Sequence, residues 1–110
     1  MILEDRELLR AIATITTPAV LATVVSTKGS TPRKAGAKML IGPEGHLHGT
    51  IGGGCGEGEV IEAAQELLQG AGPRIVQIDL TDEITSWSPA VCGGIMNVLI
   101  EAVRPRESSP

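Results

Sequence analysis

Residues able to do chemistry concentrate in three short stretches. The first is Gly49-Thr50-Ile51-Gly52-Gly53-Gly54-Cys55-Gly56-Glu57-Gly58-Glu59. Three consecutive glycines bare the backbone to positive φ and to close approach by another molecule. An apolar repeat follows at Val60, Ala64, Leu67 and Leu68, the spacing of one helix face. A glycine turn feeding a helix start leaves backbone N–H groups without partners, and with the helix dipole these attract anions. Cys55 stands at or beside that start, where a thiolate is favoured over a thiol. Serine, a good N-cap, is expected to replace it there without loss of fold. The stretch thus sets an anion cradle, formed by the backbone of Gly52, Gly53 and Gly54, beside a reactive sulfur. A strand-to-helix turn that needs glycine for steric reasons alone accounts for the same residues. Neither GxxxxGK[ST] nor GxGxxG is matched, so the stretch is not a standard nucleotide loop.

The second stretch runs from Lys28 to Lys38, Lys-Gly-Ser-Thr-Pro-Arg-Lys-Ala-Gly-Ala-Lys, with four cations and no acid in a chain of net charge −4. Its Gly, Ser, Thr and Pro make it a loop. It reads either as an anion-gripping arm, with Ser30 and Thr31 hydroxyls assisting Arg33, or as a solvated loop. The third stretch, Val91-Cys92-Gly93-Gly94, is a second Cys-Gly turn. All three adjoin strand ends and could meet on one rim of a sheet, where α/β folds commonly bind ligands. Burial of both cysteines as small hydrophobes is the competing account. His46 and His48 alternate on one strand and with the cysteines complete a Cys₂His₂ count, but their spacing is not that of a zinc site. They are expected as surface-strand residues. Glu57 and Glu59 complement the helix dipole and are expected to point into solvent.

Positioning these stretches falls to a simple series of elements. Residues 2–16 read as a helix with Leu8, Ile12 and Ile15 on one face and Leu9 beside it. Residues 19–27 form a Val-rich buried strand. Strands at 38–41 and 46–51 flank the turn Gly42-Pro43-Glu44-Gly45. A second helix spans about 55–69, and alternating strands follow at 74–80 and 95–103. Strand, helix and strand in succession suggest a right-handed βαβ unit. Between the last two strands lies a polar loop whose single Trp87 is expected as a local packing plug. The expected fold is a two-layer α/β domain, with a mixed sheet of about five strands and two main helices over residues 1–104, and 105–110 as a flexible tail.

Composition narrows the function classes. With no Phe, no Tyr and one Trp, the chain lacks the aromatic platforms of single-strand nucleic-acid binding. Its negative charge argues against phosphate-backbone binding. The longest apolar run, residues 18–25, is far too short to span a bilayer. The N-terminus lacks a basic region ahead of an apolar one, so a cytoplasmic chain with free thiols is expected, a Cys55–Cys92 disulfide remaining open.

The ordered set Gly29-Ser30-Thr31-Pro32-Arg33, Gly36, Met39, Gly49-Thr50-Ile51-Gly52-Gly53-Gly54-Cys55, Glu57, Cys92-Gly93-Gly94 and Ile100-Glu101 resembles the N-terminal domain of the XdhC/CoxI family. These are accessory and maturation proteins of xanthine dehydrogenase and carbon monoxide dehydrogenase. The resemblance covers essentially the whole chain. It implies a chaperone, not an enzyme, that transiently binds the molybdenum cofactor (molybdopterin). Such a protein presents the cofactor for sulfuration by a cysteine desulfurase and assists its insertion into an apo-molybdoenzyme. The implied site is Ser30, Thr31, Arg33, Gly52, Gly53, Gly54, Cys55, Cys92, Gly93 and Gly94, with Cys55 near the molybdenum. Many relatives continue into a Rossmann-like domain, so a separate subunit carrying that domain, or a homo-oligomer, is a further expected partner. Two other readings stand beside this one: a thiol enzyme with Cys55 as nucleophile and His46 or His48 as base, and a structural subunit without a ligand.

Overall fold

A computed structural model describes residues 3–31, 33–51, 56–80 and 93–105. Readings that fall on Gly52, Gly53, Gly54, Cys55, Trp87, Cys92 and residues 106–110 lie outside the described residues. The chain runs α1 (Leu3–Thr14), β1 (Ala19–Lys28), β2 (Lys38–Gly42), β3 (Gly45–Gly49), α2 (Glu57–Leu68), β4 (Arg74–Asp79) and β5 (Ile95–Val103). The strands form one sheet in the order β3-β2-β1-β5-β4.

Burial explains the order. β1 buries Ala19, Val20, Ala22 and Val24 completely or nearly so, which requires a neighbour on both sides and cover on both faces. It is flanked by β2 and β5. β4 is exposed at Arg74, Ile75, Gln77 and Asp79 and lies at an edge.

The α/β class, the five strands and the two helices are as expected. Two details differ. Every neighbouring pair is antiparallel rather than mixed. The succession β3–α2–β4 therefore is not a local βαβ unit. β1, β2 and β5 occupy the middle, so α2 carries the chain from one edge of the sheet to the other. The helices also take opposite faces. α2 packs Val60, Ala63, Ala64 and Leu67 against Val20, Val24, Met39, Ile41, Val98 and Ile100. α1 sets Leu8 on Ala19 and Leu40, with Ile12, Ile15 and Leu21 alongside. Leu9, beside that face, is 50% exposed. Over part of the sheet the two expected layers are thus three. The reason is the period of two along β1: even residues feed the α2 side, while Ala19 and Leu21 feed the α1 side.

Each fully buried aliphatic side chain contributes about 1.5–3 kcal/mol of transfer free energy. The α2 face holds most of them, so that side is the main source of stability. No helix among the described residues is long and apolar enough to cross a membrane.

Candidate functional site

One rim of the sheet gathers the ends of β1 and β4 with the start of β5. Lys28 pairs with Ile95 on one side, and Asp79 pairs with Ile95 on the other. One step further, the Leu80 N–H donates to the Gly94 carbonyl at 2.8 Å. The Lys28–Lys38 loop and the Gly93-Gly94 turn then touch main chain to main chain. A Cβ built on Gly29, whose φ is 77°, would approach the Gly94 Cα to 3.2 Å. One built on Gly94 would overlap the carbonyl oxygens of Lys28 and Ser30. Glycine is required at Gly94 by this contact between backbones, not by its φ. Among the described residues, nothing stands within 4 Å of a Cβ built on Gly93.

The start of α2 reaches the same rim. Its N-cap is Gly56, with φ 76°, and no side chain caps it. A Cβ there would lie 2.5 Å from Ile78 Cγ2 near the end of β4. The helix therefore begins at Glu57 and not at about residue 55, and serine in place of Cys55 gains no capping role. Glycine wins the cap position because only it combines a left-handed φ with the tight seat on Ile78.

Glu57 also departs from expectation. It is partly buried, and its Oε2 accepts a hydrogen bond from the Thr50 hydroxyl. Thr50 and Glu57 flank the glycine–cysteine segment, so this bond ties the chain leaving β3 to the first turn of α2. A carboxylate seven residues after a threonine is no recognised helix-start pattern, since the capping box has a spacing of three. No sequence signal announced this tie.

Of the proposed anion ligands, the structure brings Ser30, Thr31, Gly93 and Gly94 together at the rim. The Thr31 hydroxyl donates to the Arg33 carbonyl at 2.9 Å. This bond helps to shape the loop. Beyond Arg33 the loop is stitched to β1. The Gly36 N–H donates to the Val24 carbonyl at 2.7 Å, and the Val24 N–H donates to the Ala37 carbonyl at 2.9 Å. Lys38 Nζ donates to the Gly36 carbonyl at 2.9 Å, so one of the four cations is occupied in holding the loop. Arg33 and Lys34 are exposed, and among the described residues no carboxylate pairs with either. Ser30 is exposed beside them.

The histidines sit on edge strand β3, with His48 opposite Leu40 and His46 opposite Ile41 across a register shift. No group of three or more metal-ligating side chains occurs among the described residues.

The chain is similar to known proteins in sequence and in fold. The model of the XdhC and CoxI family matches residues 13–79. The chain belongs to that family. It is 38% identical to the uncharacterized protein YqeB of Escherichia coli (strain K12), covering 81% of this chain and 17% of that protein. It is 37% identical to a probable xanthine dehydrogenase subunit of Bacillus subtilis (strain 168), covering 77% of this chain and 26% of the relative. A solved structure described as a xanthine dehydrogenase from Bacillus halodurans superposes with a TM-score of 0.78 at 38% identity, over 92% of this chain and 31% of that one. The chain thus spans less than a third of the length of these relatives.

Proposed function

We propose that this chain is an accessory module of xanthine-dehydrogenase-type enzymes, and that it binds the molybdenum cofactor and presents it to an apo-molybdoenzyme. Family membership and the similarity to a protein named as a probable xanthine dehydrogenase subunit support the accessory role. A single observation carries the binding role. Two exposed cations without a carboxylate partner among the described residues, Arg33 and Lys34, stand on a loop seated against the Gly93-Gly94 turn.

The cofactor is an anion with a terminal phosphate and a dithiolene-held metal. The described part of the rim fits its phosphate end. Arg33 offers a planar fork of donors and Lys34 a point charge. The space that the described residues leave beside Gly93 lets a ligand reach main-chain groups. When bound, the cofactor supplies the redox-active molybdenum that the target enzyme needs. Arg33, Lys34 and Ser30 would bind and orient its phosphate. Cys55 and Cys92 would be thiol neighbours of the metal end, a soft-ligand role suited to molybdenum. A cysteine desulfurase is the further partner this reading requires. Reaction at the thiols as an enzyme, the alternative chemistry, needs a Cys55 contact with His46 or His48, and Cys55 lies outside the described residues.

The test is direct. Protein purified from cells that make the cofactor is assayed for pterin and molybdenum, then mixed with apo-enzyme. Pterin and metal near one equivalent, followed by gain of dehydrogenase activity, are expected. Protein free of both, with no effect on the apo-enzyme, overturns the reading.

A further inference from the structure

Among the described residues, strand β4, at the far side of the sheet from β3, pairs with β5 alone. The ladder geometry tells which of its backbone groups are spare. Leu80 and Gly94 are a hydrogen-bonded pair. Antiparallel ladders alternate hydrogen-bonded and non-hydrogen-bonded pairs. Ile78, Val76 and Arg74, opposite Met96, Val98 and Ile100, therefore bond inward to β5. The N–H and C=O groups of Ile75 and Gln77 point away from the sheet. Ile75 is 58% exposed as well. No proline and no bulge interrupts Arg74-Ile75-Val76-Gln77-Ile78-Asp79, and its charged residues, Arg74 and Asp79, stand at the two ends, leaving the middle of the edge uncharged.

Beside this edge runs an acidic wall. Glu59, Glu62 and Glu66 recur along the exposed side of α2, and with Ala63, Arg74, Ile75 and Val76 they line a shallow groove. Arg74 neutralises one of them through its bridge to Glu66 at 2.7 Å. Glu59 and Glu62 are exposed, and no cation pairs with them among the described residues.

We propose that β4 and the α2 wall form a docking edge for an extended, basic segment of another polypeptide, which adds to the sheet as a sixth strand. Strand addition supplies main-chain hydrogen bonds to Ile75 and Gln77, and alternate side chains supply specificity. Side chains of the added strand on the α2 side meet Glu59 and Glu62, so those positions are Lys or Arg. Those on the opposite side cover Ile75, so they are aliphatic. Charge also selects against a second copy of this chain. Antiparallel pairing of two β4 edges about a two-fold axis puts both α2 helices on the same face, where their glutamates would oppose one another.

The probe is a fluorescent six-residue peptide of alternating Lys and Val, titrated into the whole chain by anisotropy at low salt. Saturable binding is expected, with none for the Glu–Val counterpart. Ile75→Pro removes an N–H that β5 does not use, a substitution sheet edges accept, and is expected to abolish binding. The double variant Glu59→Lys, Glu62→Lys changes only exposed residues. It is expected to weaken the Lys–Val peptide by about tenfold or more, two exposed ion pairs' worth, and to admit the Glu–Val peptide. No binding of the Lys–Val peptide, equal binding by the wild-type chain and the charge-reversed variant, or a dimer by light scattering that Ile75→Pro dissolves each overturns the proposal.

Discussion

Arg33 and Gly94 are the residues on which the proposed cofactor site depends. Arg33 is exposed and pairs with no carboxylate among the described residues, so its removal leaves the fold alone. Arg33→Ala is expected to weaken cofactor binding by about 1.5–3 kcal/mol, the worth of a hydrogen bond to a charged group. The melting temperature should stay within experimental scatter. A titration of variant and wild type against isolated cofactor decides it, and unchanged affinity rules the arm out. Gly94 differs, because a methyl there would strike two backbone carbonyls that no side-chain motion can clear. Gly94→Ala is expected to cost about 1–3 kcal/mol of stability, as overpacking does. Gly93→Ala meets nothing among the described residues and should lie within about 0.5 kcal/mol of wild type. Urea denaturation of the pair separates a close-approach glycine from a bystander.

Among the elements, α2 is the one whose placement governs the rim. Its start is held by the Gly56 seat on Ile78 and by the bond from Thr50 to Glu57. Gly56→Ala adds a left-handed penalty of about 1–2 kcal/mol to the clash with a fully buried side chain. A loss of at least about 2 kcal/mol by chemical denaturation is expected. Thr50→Val removes the donor to a carboxylate and should cost about 1.5–3 kcal/mol. It should also change the rate at which iodoacetamide modifies Cys55, since the flanks of that segment are no longer tied. A variant with wild-type stability and an unchanged alkylation rate would show that the tie holds nothing.

For the whole molecule, stability is unevenly spread over the two faces of one sheet. Among the described residues, the α2 side carries the larger cluster, centred on β1 and β5, and the α1 side has only Leu8, Ala19 and Leu40 as buried members. Local opening follows buried apolar contact. Amides of β1 and β5 are expected to exchange most slowly, near the global unfolding limit, and those of α1 at least about tenfold faster. Hydrogen exchange followed by NMR reads both. Equal protection in α1 and β1 would mean that α1 unfolds only with the whole domain.

What could be read from the chain alone was whatever depends on neighbours in sequence. Alternation in Val76, Ile78, Met96, Val98 and Ile100 marked β4 and β5, and the Gly-Pro-Glu-Gly turn marked the β2–β3 hairpin. The ordered Gly, Arg and Cys motifs pointed to the family, because residue type and short spacing record local conformation and charge. The tertiary structure alone decided which strands pair, and so the antiparallel order and the passage of α2 across the sheet. It also decided that Gly94 is pressed against Lys28 and Ser30, that the Thr31 hydroxyl donates to the Arg33 carbonyl, and that Glu57 reaches back to Thr50. These are contacts between residues brought together by the competition of strands for the centre of the sheet. Burial of β1 on both faces settles that competition, and no periodicity within a single element encodes the partners it chooses.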